Sequence, residues 1–231
     1  TRRAMDDRTA SGLSFSPSIS LVLSTSSVGS YKAHAIRSTL GTVSSSLSCK
    51  ASSLRVSVLA AASIVLTGTA DIRTSSTAGT SGSIDVLAGT GSITQSATSV
   101  FLSTGATATA RLLAGTDVTV GDIELAGGKV SITATTGSIV DADVVTTTND
   151  ADQDITAGAL RLSAGAAVGE SIDHLETTVV TLSARAGNGS IYLLEADALT
   201  VDDVGLSVNR VGSDGATLTT TTDASQSDIR T

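Results

Sequence analysis

Aromatic rings are nearly missing from this 231-residue chain, which has two Tyr, two Phe and no Trp, 2% of its residues. Thick globular cores draw much of their buried area from such rings. This chain must close instead on Val, Ile, Leu and Ala, which suit a thin core of constant width. Proline is reduced to Pro17, so the 22 glycines, with Asn, Asp and Ser, must make the turns. Cys49 is the single cysteine, which excludes an internal disulfide framework. Its neighbours, Ser44 to Ser48 and Lys50, show no partner pattern for a nucleophilic thiol. His34 and His174 are the only histidines. Asp173 and His174 are adjacent, and neighbours on a strand point to opposite faces, so they make no catalytic relay. No run is long enough to span a bilayer. No phosphate-binding glycine fingerprint occurs either.

Positive charge is scarce and unevenly placed. Residues 1–55 hold seven basic and two acidic residues, whereas the other 176 hold seven basic and 20 acidic. The net charge of -8 argues against nucleic acid, which needs clustered Lys and Arg. The shift marks a boundary. Residues 1–53 read as a basic, Ser-rich N-terminal segment, a cap or a partly flexible arm. Within it, residues 18–27 suggest a strand and residues 30–40 a turn or two of helix. Residues 54–231 read as one repetitive unit. The apolar stretch 56–66, "VSVLAAASIVL", imitates a signal peptide with its flanking Lys50 and Arg55. Its depth in the chain favours two short buried strands.

From residue 54 onward, apolar and polar residues alternate in short runs, such as "DVTV" (117–120), "KVSIT" (129–133) and "LRLS" (160–163). Period two is the strand signal. The phrase Gly-Ser-Ile recurs at Gly82, Gly91, Gly137 and Gly189. A second phrase ends in Ala-Gly at Gly89, Gly115, Gly165 and Gly187, with spacings of 26, 50 and 22 residues. A unit of 20–26 residues is too short to bury its own apolar face and must stack on a neighbour. We therefore expect an all-β chain, a right-handed parallel β-helix (β-solenoid) with coils of roughly 20–26 residues and three short strands each. Gly and Asn would take the corners in left-handed conformations.

"GSIDVLAGTGSITQ" (82–95), "LLAGTDVTVGDIELAGGKVSITATTGSIVDAD" (112–143) and "TLSARAGNGSIYLLEADALTVDDV" (181–204) carry a resemblance to a family. About two thirds of the chain resembles the large repetitive exoproteins of bacteria, the filamentous haemagglutinin-like adhesins and giant β-strand-repeat surface proteins. The resemblance implies parallel β-helices, export to the cell surface, and adhesion or a stalk role. Members secreted through a dedicated partner carry Asn-Pro motifs. Here Pro17 follows Ser16, so that route is unsupported, and an internal segment of a longer protein is the better match.

The chemistry-bearing residues are few. Asp150, Asp152 and Asp154 alternate as in the opening of a Ca²⁺ loop, but the glycine and the bidentate Glu of that loop are lacking. Asp141 with Asp143, and Asp202 with Asp203, are further acidic turns. Glu195 and Asp197 near Tyr192 are the best carboxylate pair for a sugar-cleaving enzyme. Thr107-Ala108-Thr109 and Thr133-Ala134-Thr135 have the form of an ice-binding face. Taken together, the sequence predicts no catalytic residues and no cofactor other than a possible Ca²⁺. It predicts a noncatalytic, extracellular or cell-surface, structural or adhesive segment. Its partners would be a host or neighbouring-cell surface, or another copy joined end to end. The alternatives are a carbohydrate-active β-helix enzyme, or a Ca²⁺- or ice-binding solenoid module.

Overall fold

The computed structural model describes residues 19–24, 32–38, 41–43, 47–50, 54–75, 82–143, 152–212, 214 and 217–231, with side chains from Arg55 onward. The described chain is all β, and its sheets are mostly parallel. Three parallel ladders organise it, and the chain visits them in a repeating order. The first runs through Lys32–Ser38, Leu54–Ala60, Ser83–Ala88, Thr109–Ala114 and the second half of Asp122–Ala134, then Ile155–Ala164 and Leu175–Ala186. The second is narrower: Gly41–Val43, Ile64–Leu66, Ile93–Thr94, Val118–Val120 and Ile139–Asp141, continued by single bridges at Val168 and Ile191. The third takes Leu47–Lys50, Ile72–Ser75, Val100–Ser103 and the first half of Asp122–Ala134. The long strands from Asp122 onward serve the third ladder and then the first, bending at Ala126–Gly128, where the register slips.

Register makes the core. In the first ladder Val56, Ile84, Ala110, Val130, Leu160 and Leu182 lie one above another. Val58, Val86, Leu112, Ile132, Leu162 and Ala184 form the next column, and Ala60, Ala88, Ala114, Ala134, Ala164 and Ala186 a third. All of these side chains are buried. Ile64, Ile93, Val118, Ile139 and Val168 do the same in the second ladder, and Ile72, Phe101, Ile123 and Ile155 in the third. Stacked neighbours are aliphatic at nearly every level, Phe101 being the one ring among them. Burying one such Ile, Leu or Val side chain stabilises the fold by roughly 1.5–3 kcal/mol.

Three expectations need amending. The stretch 32–38 is a strand, not a helical turn, because the ladder offered by Leu54–Ala60 overrides the helical propensity of its Lys and Ala. The ladders thus extend back across residue 54. Successive partners in the first ladder are 19 to 45 residues apart (Leu182 to Val201 and Ala184 to Ile229), a wider range than 20–26. The Gly-Ser-Ile glycines do not take left-handed backbone. Among the described glycines only Gly68, Gly105, Gly127 and Gly169 do. What these positions require is closeness: a Cβ on Gly91 would lie 2.7 Å from the Ala62 carbonyl carbon, and one on Gly189 would lie 2.9 Å from the Ala167 Cα.

An element absent from the repeat completes the fold. Val204–Val211 and Leu218–Gln226 form an antiparallel hairpin across the outer face of the first ladder. Its partners fall in ladder order. Val211 N–H donates to Ser57 Oγ at 2.9 Å, and Arg210 Nε to Asp85 Oδ2 at 2.6 Å. Asp223 accepts from Arg111 Nε at 2.8 Å and Ser131 Oγ at 2.7 Å. Arg161 Nε donates to the Ala224 carbonyl, and Gln226 Nε2 to the Leu162 carbonyl. The hairpin therefore crosses five successive strands like a strap. A span of four strand spacings is about 19 Å, within the reach of its eight- and nine-residue strands at about 3.3 Å per residue. The outward column Ser57, Asp85, Arg111 and Ser131 is buried beneath it.

Asp85 is the hub of that contact. It is fully buried and joins Arg111 Nη1 at 3.2 Å as well as Arg210. Removing one partner of a buried ion pair leaves the others uncompensated, which costs about 3–5 kcal/mol. Asp85→Ala is accordingly expected to lower the unfolding free energy by about that amount. Denaturant titration followed by circular dichroism checks this, and a loss below about 1 kcal/mol would mean that the strap holds no buried charge.

Candidate functional site

The corner between the second and third ladders is acidic rather than apolar. Asp141 ends the strand Ile139–Asp141, in a column whose earlier levels hold Gln95 and Val120. Asp154 immediately precedes Ile155, and Glu176 sits opposite it in Leu175–Ala186. The backbone fixes the last two: Asp154 N–H donates to the Glu176 carbonyl at 3.1 Å, and Ile123 N–H to the Asp154 carbonyl at 2.8 Å. Glu176 N–H donates to Asp154 Oδ2 at 2.7 Å. Asp141 Oδ1 accepts from Asp143 N–H at 3.0 Å. Asp141, Asp154 and Glu176 are 8%, 5% and 1% exposed. One carboxylate oxygen from each lies within 4.8 Å of the other two.

Burial dominates the electrostatics. It pushes the Asp154 carboxyl up to about 10, with the Asp141 and Glu176 charges adding to the effect. Burial also raises Asp141, against hydrogen bonds that favour its charged form.

Beside the corner lies an open cleft of about 500 Å³ on the outer face of the third ladder. Asp122, Glu124, Asp152, Gln153, Thr104 and Thr156 line it. Asp122 and Glu124 are two apart on one strand and so share its outer face. Partial burial and the Glu124 charge beside it push Asp122 up to about 7. A smaller cavity of about 60 Å³, lined by Asp122, Asp141, Asp143, Asp152 and Asp154 among others, joins the two acidic groups.

The structure redistributes the acids singled out by spacing. Asp154 belongs to the buried corner and Asp152 to the exposed rim of the cleft, and Asp150 lies outside the described residues. Glu195 is a structural acceptor, taking hydrogen bonds from Thr177 Oγ1 at 2.8 Å and Val179 N–H at 3.0 Å. Asp197 is exposed, as are Asp202 and Asp203. His174 packs edgewise on Tyr192, ring centroids 5.9 Å apart. The side chains of His34 and Cys49 lie outside the described residues. The two Thr-Ala-Thr triplets do not share a column, since Thr109 pairs with Lys129 and Thr133 with Leu113. Glu176, Asp122 and Glu124 were missed. Their signal is an acid inside an apolar-alternating strand, "LETTVV" and "DIEL", rather than in a turn.

No family model, curated protein or solved structure matches the chain. Among the described residues, no helix is long and apolar enough to cross a membrane.

The raised Asp122 and Asp154 carboxyls link folding to pH with one sign, which the raised Asp141 shares. From the ordinary value of 3.8 upward the unfolded chain ionises while the folded chain keeps its protons. Their stabilisation is complete below about pH 4, and Asp122's part is lost by about pH 7 and Asp154's by about pH 10. Melting temperature in a chelating buffer should fall across this range. Asp122→Asn should flatten the lower part of the profile and Asp154→Asn the upper part. Parallel profiles for all three proteins would contradict the assignment.

Proposed function

We propose that the chain is a β-solenoid whose role is structural or adhesive: a noncatalytic, extracellular segment that presents side chains from a stiff stack of coils. The observation that carries this reading is the repeated order in which the chain visits three in-register parallel ladders, with like residues stacked at each position. Each circuit adds one level of about 4.8 Å along the axis. Stiffness follows because every level is hydrogen-bonded to the next on three sides. The acidic outer surface keeps such a rod soluble. Its partners would be a host or neighbouring-cell surface, or a second copy of the chain.

The end bearing Leu175–Ala186 favours the second copy. Its outer edge is met only by the short segments Leu193–Glu195, Thr200–Val201 and Ile229–Arg230. Val180, Leu194, Leu199, Val201 and Ile229 are exposed there, and an apolar group of this kind at a strand edge favours association. The other end is closed by an antiparallel strand, Ile19–Ser24 on Lys32–Ser38. Association should therefore be concentration-dependent in small-angle scattering, with the longest dimension growing while the cross-section stays fixed. Leu194→Lys with Val201→Lys should abolish it without changing the fold. A wild-type protein that stays monomeric at millimolar concentration would remove self-association from the reading, and a globular scattering profile would remove the rod.

The cleft favours one second reading, a carbohydrate-active enzyme. Asp122, held near neutrality beside Glu124, has the protonation range of a general acid. Release of reducing ends from acidic or neutral polysaccharides, lost at least about a hundredfold in Asp122→Asn, would establish it. Equal activity in the variant would dismiss it.

A further inference from the structure

We propose that Asp141, Asp154 and Glu176 bind a single Ca²⁺ ion, which clasps the corner between the second and third ladders. Their carboxylates come from three separate segments, yet one oxygen of each lies within 4.8 Å of the others. An ion with bonds of about 2.4 Å reaches donors up to about twice that distance apart. The donors are all carboxylate oxygens, the set that selects hard cations over softer metals. Mg²⁺ demands near-ideal octahedral geometry and keeps several waters, whereas Ca²⁺ accepts irregular donor sets like this one.

A second observation points to a ligand. Asp141 Oδ2 is buried and receives no hydrogen bond from any N–H, hydroxyl or cationic group of the described residues. Only a proton on Asp154 could serve it. Buried acceptors are ordinarily satisfied, and one aimed at two further carboxylates calls for positive charge. The charged groups bearing on Asp154 are Asp141 and Glu176, both negative. The adjoining cavity of about 60 Å³ has room for about two waters, at about 30 Å³ each, to complete the coordination. Asp143 and Asp152 in its lining draw a cation inward.

The site does not depend on the rod or its surface role. Its test uses the full chain, stripped with a chelator and dialysed. Isothermal titration with CaCl₂ should show one ion per chain, and the melting temperature should rise by several degrees in millimolar Ca²⁺ and by less in Mg²⁺. Asp141→Asn and Glu176→Gln should each weaken Ca²⁺ binding at least about tenfold. Asp202→Asn with Asp203→Asn, which alters an exposed acidic pair, should leave binding unchanged. The proposal falls if the folded wild-type chain shows no saturable Ca²⁺ heat and no shift in melting. It falls equally if Asp141→Asn and Glu176→Gln, folded by circular dichroism, bind as the wild type does. The wild-type titration decides the matter even if a variant does not fold.

Discussion

Backbone hydrogen bonds between residues some twenty to thirty positions apart hold successive strands of each parallel ladder at one fixed spacing, and every other feature answers to that spacing. A parallel ladder places residue over residue without offset. A side chain on one level therefore meets its counterpart on the next, and an inward column must be filled by residues that tolerate each other at about 4.8 Å. The alanine column from Ala60 to Ala186 and the isoleucine-rich column through Ile64, Ile93 and Ile139 are solutions to that condition. The condition is not absolute. Phe101 is fully buried between Ile72 and Ile123, and Thr74 and Ser103 satisfy each other inside the third ladder through a 2.7 Å hydrogen bond.

The same stacking explains where polar groups gather. Columns do not distinguish apolar from polar residues, so acids that recur at one position accumulate in a row. Asp122, Asp154 and Glu176 occupy neighbouring levels at the start of the third ladder, which concentrates negative charge at one corner. On the outer face of the first ladder the corresponding row alternates in sign, Asp85 then Arg111, and the hairpin supplies Asp223 and Arg210 to complete the balance. One row is thus neutralised by protein, whereas in the other burial and neighbouring carboxylates raise Asp122 and Asp154.

The repeat was legible in the sequence because it is local: alternation marks the strands, and Ala-Gly marks the end of four of the first ladder's strands. The gap of 50 between Gly115 and Gly165 spans two levels of the ladder, the middle one having Ala134-Thr135 in place of Ala-Gly. The Gly-Ser-Ile phrase was harder, because identical letters serve two places. Ile84 belongs to the first ladder, whereas Ile93 and Ile139 belong to the second. The strap was not legible, since its partners lie up to 154 residues away and its Thr-rich strand resembles any solvated edge. The buried acids were half legible. Asp141 and Asp154 stood out by their spacing, but Glu176 joins them only through strand register, which no pattern of neighbouring residues encodes.

The strap also imposes an order of events. Each strand of a ladder can be laid on the one before it, using only residues some twenty to thirty positions earlier. Asp85 and Arg111, however, remain wet until the hairpin has appeared, because Arg210 and Asp223 come from there. Growth of the ladders is therefore piecemeal, whereas their final locking is a single long-range step that waits for the hairpin.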